Sequence, residues 1–152
     1  MADGVDVSAV REEEFETLLP LIAAYQGFYE VEDVDHGRNR HFFHRFLAPS
    51  EDGRLLAARD GSGTILGYAC LYWHFSSLAA AETVLMNDLY VTPEARGRGV
   101  GRALIEASAA VARERGAAWL EWATAPDNHT AQRLYDSMTS EKSTWLEYEL
   151  DV

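Results

Sequence analysis

The chain is 152 residues long, 47% of them hydrophobic, with 25 Asp and Glu against 13 Lys and Arg and a formal charge of -12. That length supports one domain, residues 1–152, with a real core, and no run reaches the roughly 18 apolar residues a membrane-spanning helix needs, so no membrane partner is expected. The acid excess speaks against nucleic acid as a partner and suits cationic small molecules or basic peptides better. Cys70, the single cysteine, has no second thiol for a disulfide or zinc site and reads as packing. The opening "MADGVDVSAVREEE" lacks a basic region followed by an apolar run, so a secretory signal is not expected and a cytoplasmic location is.

In chain order, Phe15, Leu18, Leu19 and Ile22 recur at helical spacing between Arg11 and Tyr25, behind three glutamates, and predict an amphipathic helix with a kink at Pro20. The acids of "YEVEDVD", Glu30, Glu32, Asp33 and Asp35, either attract a cation or open the next helix. That helix fits "GRNRHFFHRFL", with Phe42, Phe43, Phe46 and Leu47 on one face. "RLLAARD", the turn "GSGT", "ILGYACLYWHF" and "ETVLMNDLYV" read as a three-strand meander. Val100, Ala103, Leu104, Ala107 and Val111 then mark a helix ending near Gly116. "AAWLEWAT" predicts a strand, "NHTAQRLYDSM" a short helix and "STWLEYEL" a closing strand. The expected architecture is α/β, a mixed and mostly antiparallel central sheet flanked by about four helices.

The segment "NDLYVTPEARGRGVGRALI" places Gly97, Gly99 and Gly101 between a strand and a helix, where glycine lowers stability unless a ligand or a special backbone conformation requires it. A strand, glycine loop and helix start together present backbone N–H groups to phosphate, and Arg96, Arg98 and Arg102 add local positive charge. The Gly-Lys-Ser/Thr ending of a P-loop is absent. A dinucleotide fingerprint is weakened by Leu104 at its third glycine, although Glu121 falls at the distance expected for a ribose contact. A plain flexible turn is the remaining alternative.

"ARGRGVGRAL" resembles the acyl-CoA loop of the GNAT superfamily of N-acetyltransferases, with Arg96, Gly99 and Gly101 filling the pattern Arg/Gln-x-x-Gly-x-Gly/Ala. "NHTAQRLYD" is similar to that family's Asn-x-x-Ala-x-x-x-Tyr segment through Asn128, Ala131 and Tyr135. The likeness runs from about Leu55 onward. "GYACLYWHFSS" and "MNDLYV" resemble the diamine (spermidine/spermine) branch, and "NHTAQRLYD" a branch of histone and polyamine acetyltransferases. The resemblance implies a GNAT-like sheet whose splayed strand pair forms an acyl-CoA slot. It implies acetyl-CoA as co-substrate, without a metal, held by backbone groups of Leu89, Tyr90 and Val91. The loop Gly97, Arg98, Gly99, Val100, Gly101 and Arg102 would take the pyrophosphate, with Arg96, Asn128 and Ala131 contributing. Tyr135 would be the general acid. From position alone, Asn128 also fits a helix N-cap and Tyr135 core packing beside Leu134 and Met138.

Direct acyl transfer needs an unprotonated amine, and an alkyl ammonium of pKa near ~10 makes a base or water relay useful. Asp88 and Glu121 are the candidate acids near the slot; surface or ion-pair duty is their alternative. The diamine branch carries a glutamate where this chain has Asn87, which weakens a polyamine preference. Tyr25, Phe28, Tyr29, Asn87 and Trp122 are candidates for binding the acceptor, with Trp73 assigned to the core. His41 and His44 have helical spacing, but no third metal ligand is evident. "DSMTSEKSTW" lacks the family's glycine-aromatic turn, so an irregular last strand is expected. The function expected is transfer of an acetyl group to a primary amine of a small polyamine-like or amino-acid-like molecule. The alternatives are a protein or peptide acetyltransferase and a non-catalytic acyl-CoA sensor. A homodimer through pairing of "WLEYEL" strands is a further expectation.

Overall fold

In the computed structural model, residues 4–138 and 141–152 are described. A five-stranded sheet in the order β1-β2-β3-β4-β5 forms from β1 (Asp6–Ala9), β2 (Gly53–Arg59), β3 (Ile65–Ser76), β4 (Ala81–Val91) and β5 (Leu120–Glu121). The first three pairings are antiparallel and β4 with β5 is parallel. The helices are α1 (Phe15–Phe28), α2 (His36–His44), α3 (Val100–Glu114) and α4 (His129–Asp136). The mixed, mostly antiparallel sheet and four helices agree with the sequence expectation. One compact unit spans Met1–Trp122 and a second Ala123–Val152.

The apolar spacing of α1 does what its period requires: Phe15, Leu18, Leu19 and Ile22 are all buried. The helix runs on through Pro20, whose missing N–H removes one internal hydrogen bond. They pack with Phe43 and Phe46 against Leu55, Tyr68 and Cys70 on one face of the sheet. A reciprocal amide pair joins α1 to α2, Gln26 and Asn39 each donating to the other at 2.8 Å. Asp35 resolves the two readings of the acidic segment: its Oδ1 accepts from the Arg38 N–H at 2.8 Å and caps α2. α3 packs on β2, β3 and β4 from the other face, where a Cβ on Gly67 would stand 3.3 Å from Leu104 Cδ1.

Three sequence expectations are corrected. "DVSA" is a strand the sequence reading omitted, because four residues carry little periodicity; its identity comes from the ladder with β2, Asp6 opposite Arg59. The strand expected over "AAWLEWAT" shrinks to Leu120–Glu121, since its ladder with β4 covers two residue pairs. No closing strand forms at "STWLEYEL": residues 141–152 hold no regular structure, and Trp145, Leu146, Tyr148 and Leu150 are exposed. Alternation alone does not make a strand without an edge to pair with. Thr139 and Ser140 of "DSMTSEKSTW" lie outside the described residues.

Beneath α1 sits a buried ion pair. Arg59 on β2 donates from Nε to Glu14 Oε2 at 2.9 Å and from Nη2 to Glu14 Oε1, and its Nη1 reaches Ser8 Oγ and the Ala57 carbonyl. It thereby ties β1, β2 and the entry to α1 together. The guanidinium holds the Glu14 carboxyl below the ordinary glutamate range, against the upward push of desolvation. Because the lowered pKa belongs to the folded state, this stabilisation is present above the glutamate range and is lost as pH falls through the folded value. Arg59→Ala is expected to remove about 3–5 kcal/mol by urea denaturation at neutral pH, since it strands a buried carboxylate. Glu14→Gln should flatten the acid-side decline of stability relative to wild type.

Candidate active site

The glycine segment leaves β4 at Val91, passes a 3-10 turn at Pro93–Ala95 and enters α3. Gly97 and Gly99 have φ of 75° and 80°, the left-handed region that side chains disfavour, which answers why glycines stand there. Gly99 is the N-cap residue of α3 and supplies no side-chain cap, so the first-turn N–H groups face outward without one. A Cβ on Gly97 would meet nothing within 4 Å. Exposed backbone donors at the start of a 15-residue helix suit an anion. Arg98 is exposed; Asp60 is held below the ordinary range chiefly by hydrogen bonds from Ser62 and Thr64, with a small contribution from the Arg98 charge. Arg96 instead turns back: Nε donates to the Val91 carbonyl at 3.0 Å, and its guanidinium lies 5.7 Å from the Tyr90 ring centre. It braces the loop. Val100 is buried, while Gly101 and Arg102 sit half-buried in the first turn.

β4 departs from regular pairing at two places. Its register with β3 shifts between Cys70–Asp88 and Leu71–Met86, leaving Asn87 as an extra, bulged residue. Its ladder with β5 stops at Leu85–Glu121, so Met86 to Val91 continue with β3 on one flank and no ladder on the other among the described residues. Leu89, Tyr90 and Val91 lie in this stretch, half-buried, opposite Ala69, Tyr68 and Gly67.

Around the bulge the sequence-predicted residues Tyr25, Asn87 and Asp88 meet. Asn87 donates from Nδ2 to Asp88 Oδ1 at 2.8 Å and to the Tyr72 hydroxyl at 3.2 Å, while Tyr25 donates to the Asn87 carbonyl at 3.3 Å. Tyr68, fully buried, donates to Asp88 Oδ2 at 3.2 Å. Asp88 is 3% exposed, and burial raises its carboxyl to about 6 against the lowering hydrogen bonds of Asn87 and Tyr68. Tyr25 meets Tyr29 edge-on at 5.1 Å, and Tyr29 meets Phe28 at 5.2 Å; both outer rings are exposed. Tyr68 and Tyr72 escaped the sequence reading, which placed "ILGYACLYWHF" in the meander without singling them out.

Glu121 belongs to a separate group: Oε2 accepts from Trp119 Nε1 at 2.6 Å and Oε1 lies 3.6 Å from His74 Nδ1. Trp122 is half-buried just beyond β5. Trp73 carries two of the protein's own cations, Arg115 at 3.7 Å and Arg54 at 5.6 Å. His44 stands 2.9 Å from Glu12. In the second unit, Asn128 caps α4, its Oδ1 accepting from the Ala131 N–H at 3.2 Å, and Tyr135 is half-buried on the same helix.

A strand with an open flank that passes through a glycine turn into a helix is an arrangement suited to an anion, and comparison with known proteins supplies the class, the acetyltransferases. The model of the acetyltransferase (GNAT) family matches residues 16–138, and the chain belongs to that family of N-acetyltransferases. It is 37% identical over 134 residues to a D-amino-acid N-acetyltransferase of Saccharomyces cerevisiae, covering 88% of this chain and 83% of that one. It is also 37% identical over 93 residues to an L-2,4-diaminobutyric acid acetyltransferase of Streptomyces coelicolor, covering 60% and 53%. A crystal structure of a probable acetyltransferase superposes with a TM-score of 0.84 at 28% identity, covering 97% of both chains.

Tyr68→Phe removes a hydrogen bond that favours the charged form of Asp88. Its carboxyl should therefore titrate above the present value of about 6, as carbon-13 NMR of labelled aspartate would register.

Proposed function

We propose that the chain transfers the acetyl group of acetyl-CoA directly to a primary amine of a small, amino-acid-like molecule. The observation that carries this reading is β4, which combines an open backbone flank from Met86 to Val91 with a buried carboxylate at its bulge and a glycine turn at its end. The extended arm of acetyl-CoA would pair with Leu89, Tyr90 and Val91, and its pyrophosphate would sit on the N–H groups of Gly97 to Arg102. A β4 N–H would polarise the thioester carbonyl. The family match crosses both compact units, which supports reading 1–152 as one catalytic domain. The yeast and Streptomyces relatives are named for amino-acid acceptors, which supports the acceptor class.

In this reading the amine nitrogen attacks the thioester carbon, the carbon–sulfur bond breaks, and two protons are managed. Asp88, acting through water, accepts the proton the amine gives up. An acid of pKa about 6 is mostly ionised at neutral pH and stays close enough to neutrality to serve as a base. Tyr135, assigned by its resemblance to the family motif, would protonate the departing thiolate; a free thiol has pKa near ~8.5 and a phenol near ~10, so the phenol would hold its proton until sulfur needs it. Tyr25, Phe28, Tyr29 and Trp122 would surround the acceptor.

Thiol release from acetyl-CoA, measured with a panel of amines, tests the reading; release that no amine stimulates overturns it in favour of an acyl-CoA-binding module. Within that assay Tyr135→Phe is expected to lower kcat by roughly 10- to 1000-fold while calorimetric affinity for acetyl-CoA holds, because a transition-state interaction alone is lost. Gly99→Val, which forces a β-branched residue into the left-handed region at the helix start, should abolish acetyl-CoA binding in calorimetry while circular dichroism shows a folded chain.

A further inference from the structure

We propose that Arg45, which immediately follows α2, binds the carboxylate of an amino-acid acceptor and so sets specificity for acceptors that carry one. The inference rests on the amine-acetylating activity proposed above and goes beyond it in naming what holds the acceptor's far end.

The first observation is a census of charge. Arg11, Arg38, Arg40, Arg59 and Lys142 each lie against a carboxylate, and Arg45 belongs to the cations that do not, so its position and not its lack of a partner is what sets it apart. Arg45 is exposed and, among the described residues, is paired with no carboxylate. Its guanidinium instead rests 4.9 Å from the centre of the Phe42 ring, which steadies it without neutralising it.

The second observation is position. Phe46, the next residue, is buried and stacks on Tyr72 at 5.3 Å. The Tyr72 hydroxyl accepts from Asn87 Nδ2 at the β4 bulge. The Arg45 charge is close enough to Tyr72 to oppose the rise that burial imposes on that hydroxyl. Arg45 therefore borders the cluster that contains Asp88.

The third observation is the orientation of the Asn87 amide. An ionised carboxylate only accepts hydrogen bonds, so the amide atom 2.8 Å from Asp88 Oδ1 is the nitrogen, and its second N–H goes to Tyr72. Among the described residues the amide oxygen has no recorded donor, which leaves it for a donor from outside, and an amine N–H is such a donor. An amino acid offers an amine for Asn87 and a carboxylate for the planar fork of Arg45, which binds it with two parallel hydrogen bonds.

The test compares wild type with Arg45→Gln and Arg45→Lys on matched acceptors, phenylalanine against phenethylamine and lysine against cadaverine, with acetyl-CoA saturating. The expected result for Arg45→Gln is a KM for the amino acids raised about 10- to 100-fold, with kcat and the KM for the decarboxylated amines nearly unchanged. Arg45→Lys should recover part of the loss, since it restores charge without the fork. Equal effects of Arg45→Gln on both members of a pair, or none on either, overturn the role of Arg45 while leaving amine acetylation standing. A wild-type enzyme that acetylates none of the four overturns both.

Discussion

Side chains on a strand alternate between faces, so one inserted residue reverses the assignment of everything after it, and in β4 that residue is Asn87. Leu85 and Met86 stand opposite Tyr72 and Leu71; without the bulge, Asp88 would share a face with Met86. With it, Asp88 stands opposite Cys70 and meets the Tyr68 hydroxyl on the α1 and α2 side, and Tyr90 follows onto the same side. The tyrosine cluster, the buried carboxylate and the contact from Tyr25 all descend from this single irregularity. The opposite face, where Gly67 and Leu104 meet, is left to α3.

The two buried acids of the first unit show how environment moves two carboxyls in opposite directions. Glu14 has a guanidinium against both oxygens and is driven below the ordinary glutamate range. Asp88 has neutral donors, a phenol and an amide, and burial prevails over them, raising it to about 6. The signs on stability are opposite. Glu14 adds stability above its ordinary range, whereas Asp88 holds its proton longer folded than unfolded, so its contribution declines as pH rises from near 4 to about 6. A fold that tolerates such a group at the centre of its sheet places a titrating acid near neutrality, which is where proton transfer is most effective.

Much of this was legible in the sequence, and the failures have physical reasons. Period and punctuation located α1, α2, α3 and the meander, because each buries a stripe or face wide enough to impose its spacing. The glycine turn was legible because few residues accept φ near 75° to 80°. β1 and β5 were illegible in extent, since ladders formed with residues far along the chain fix their limits. Asn87 could be named as a site residue, but nothing local marks it as a bulge: the extra residue is defined only against β3. Tyr68 and Tyr72 lie 20 and 15 residues from their polar partners and looked like packing. Arg45 is one more basic residue beside a helix in the sequence; its nearness to Phe42 and, through Phe46, to Tyr72 is visible only in the folded arrangement.

The interrupted ladder between β4 and β5 bears on how sequence and binding evolve together. Backbone donors and acceptors along Met86 to Val91 are presented by the strand whatever side chains it carries. Leu89, Tyr90 and Val91 can then be chosen for how they pack beside Ala69, Tyr68 and Gly67, while an extended molecule on the open flank reads main chain alone. Substitution along this stretch is thus filtered by fit to the core, and recognition of a main-chain-pairing ligand survives drift in residue identity. In the proposed reading, acceptor selectivity would rest on side chains of the α1 and α2 side and would be free to diverge separately, so one half of a bisubstrate reaction would be inherited nearly silently while the other is rewritten.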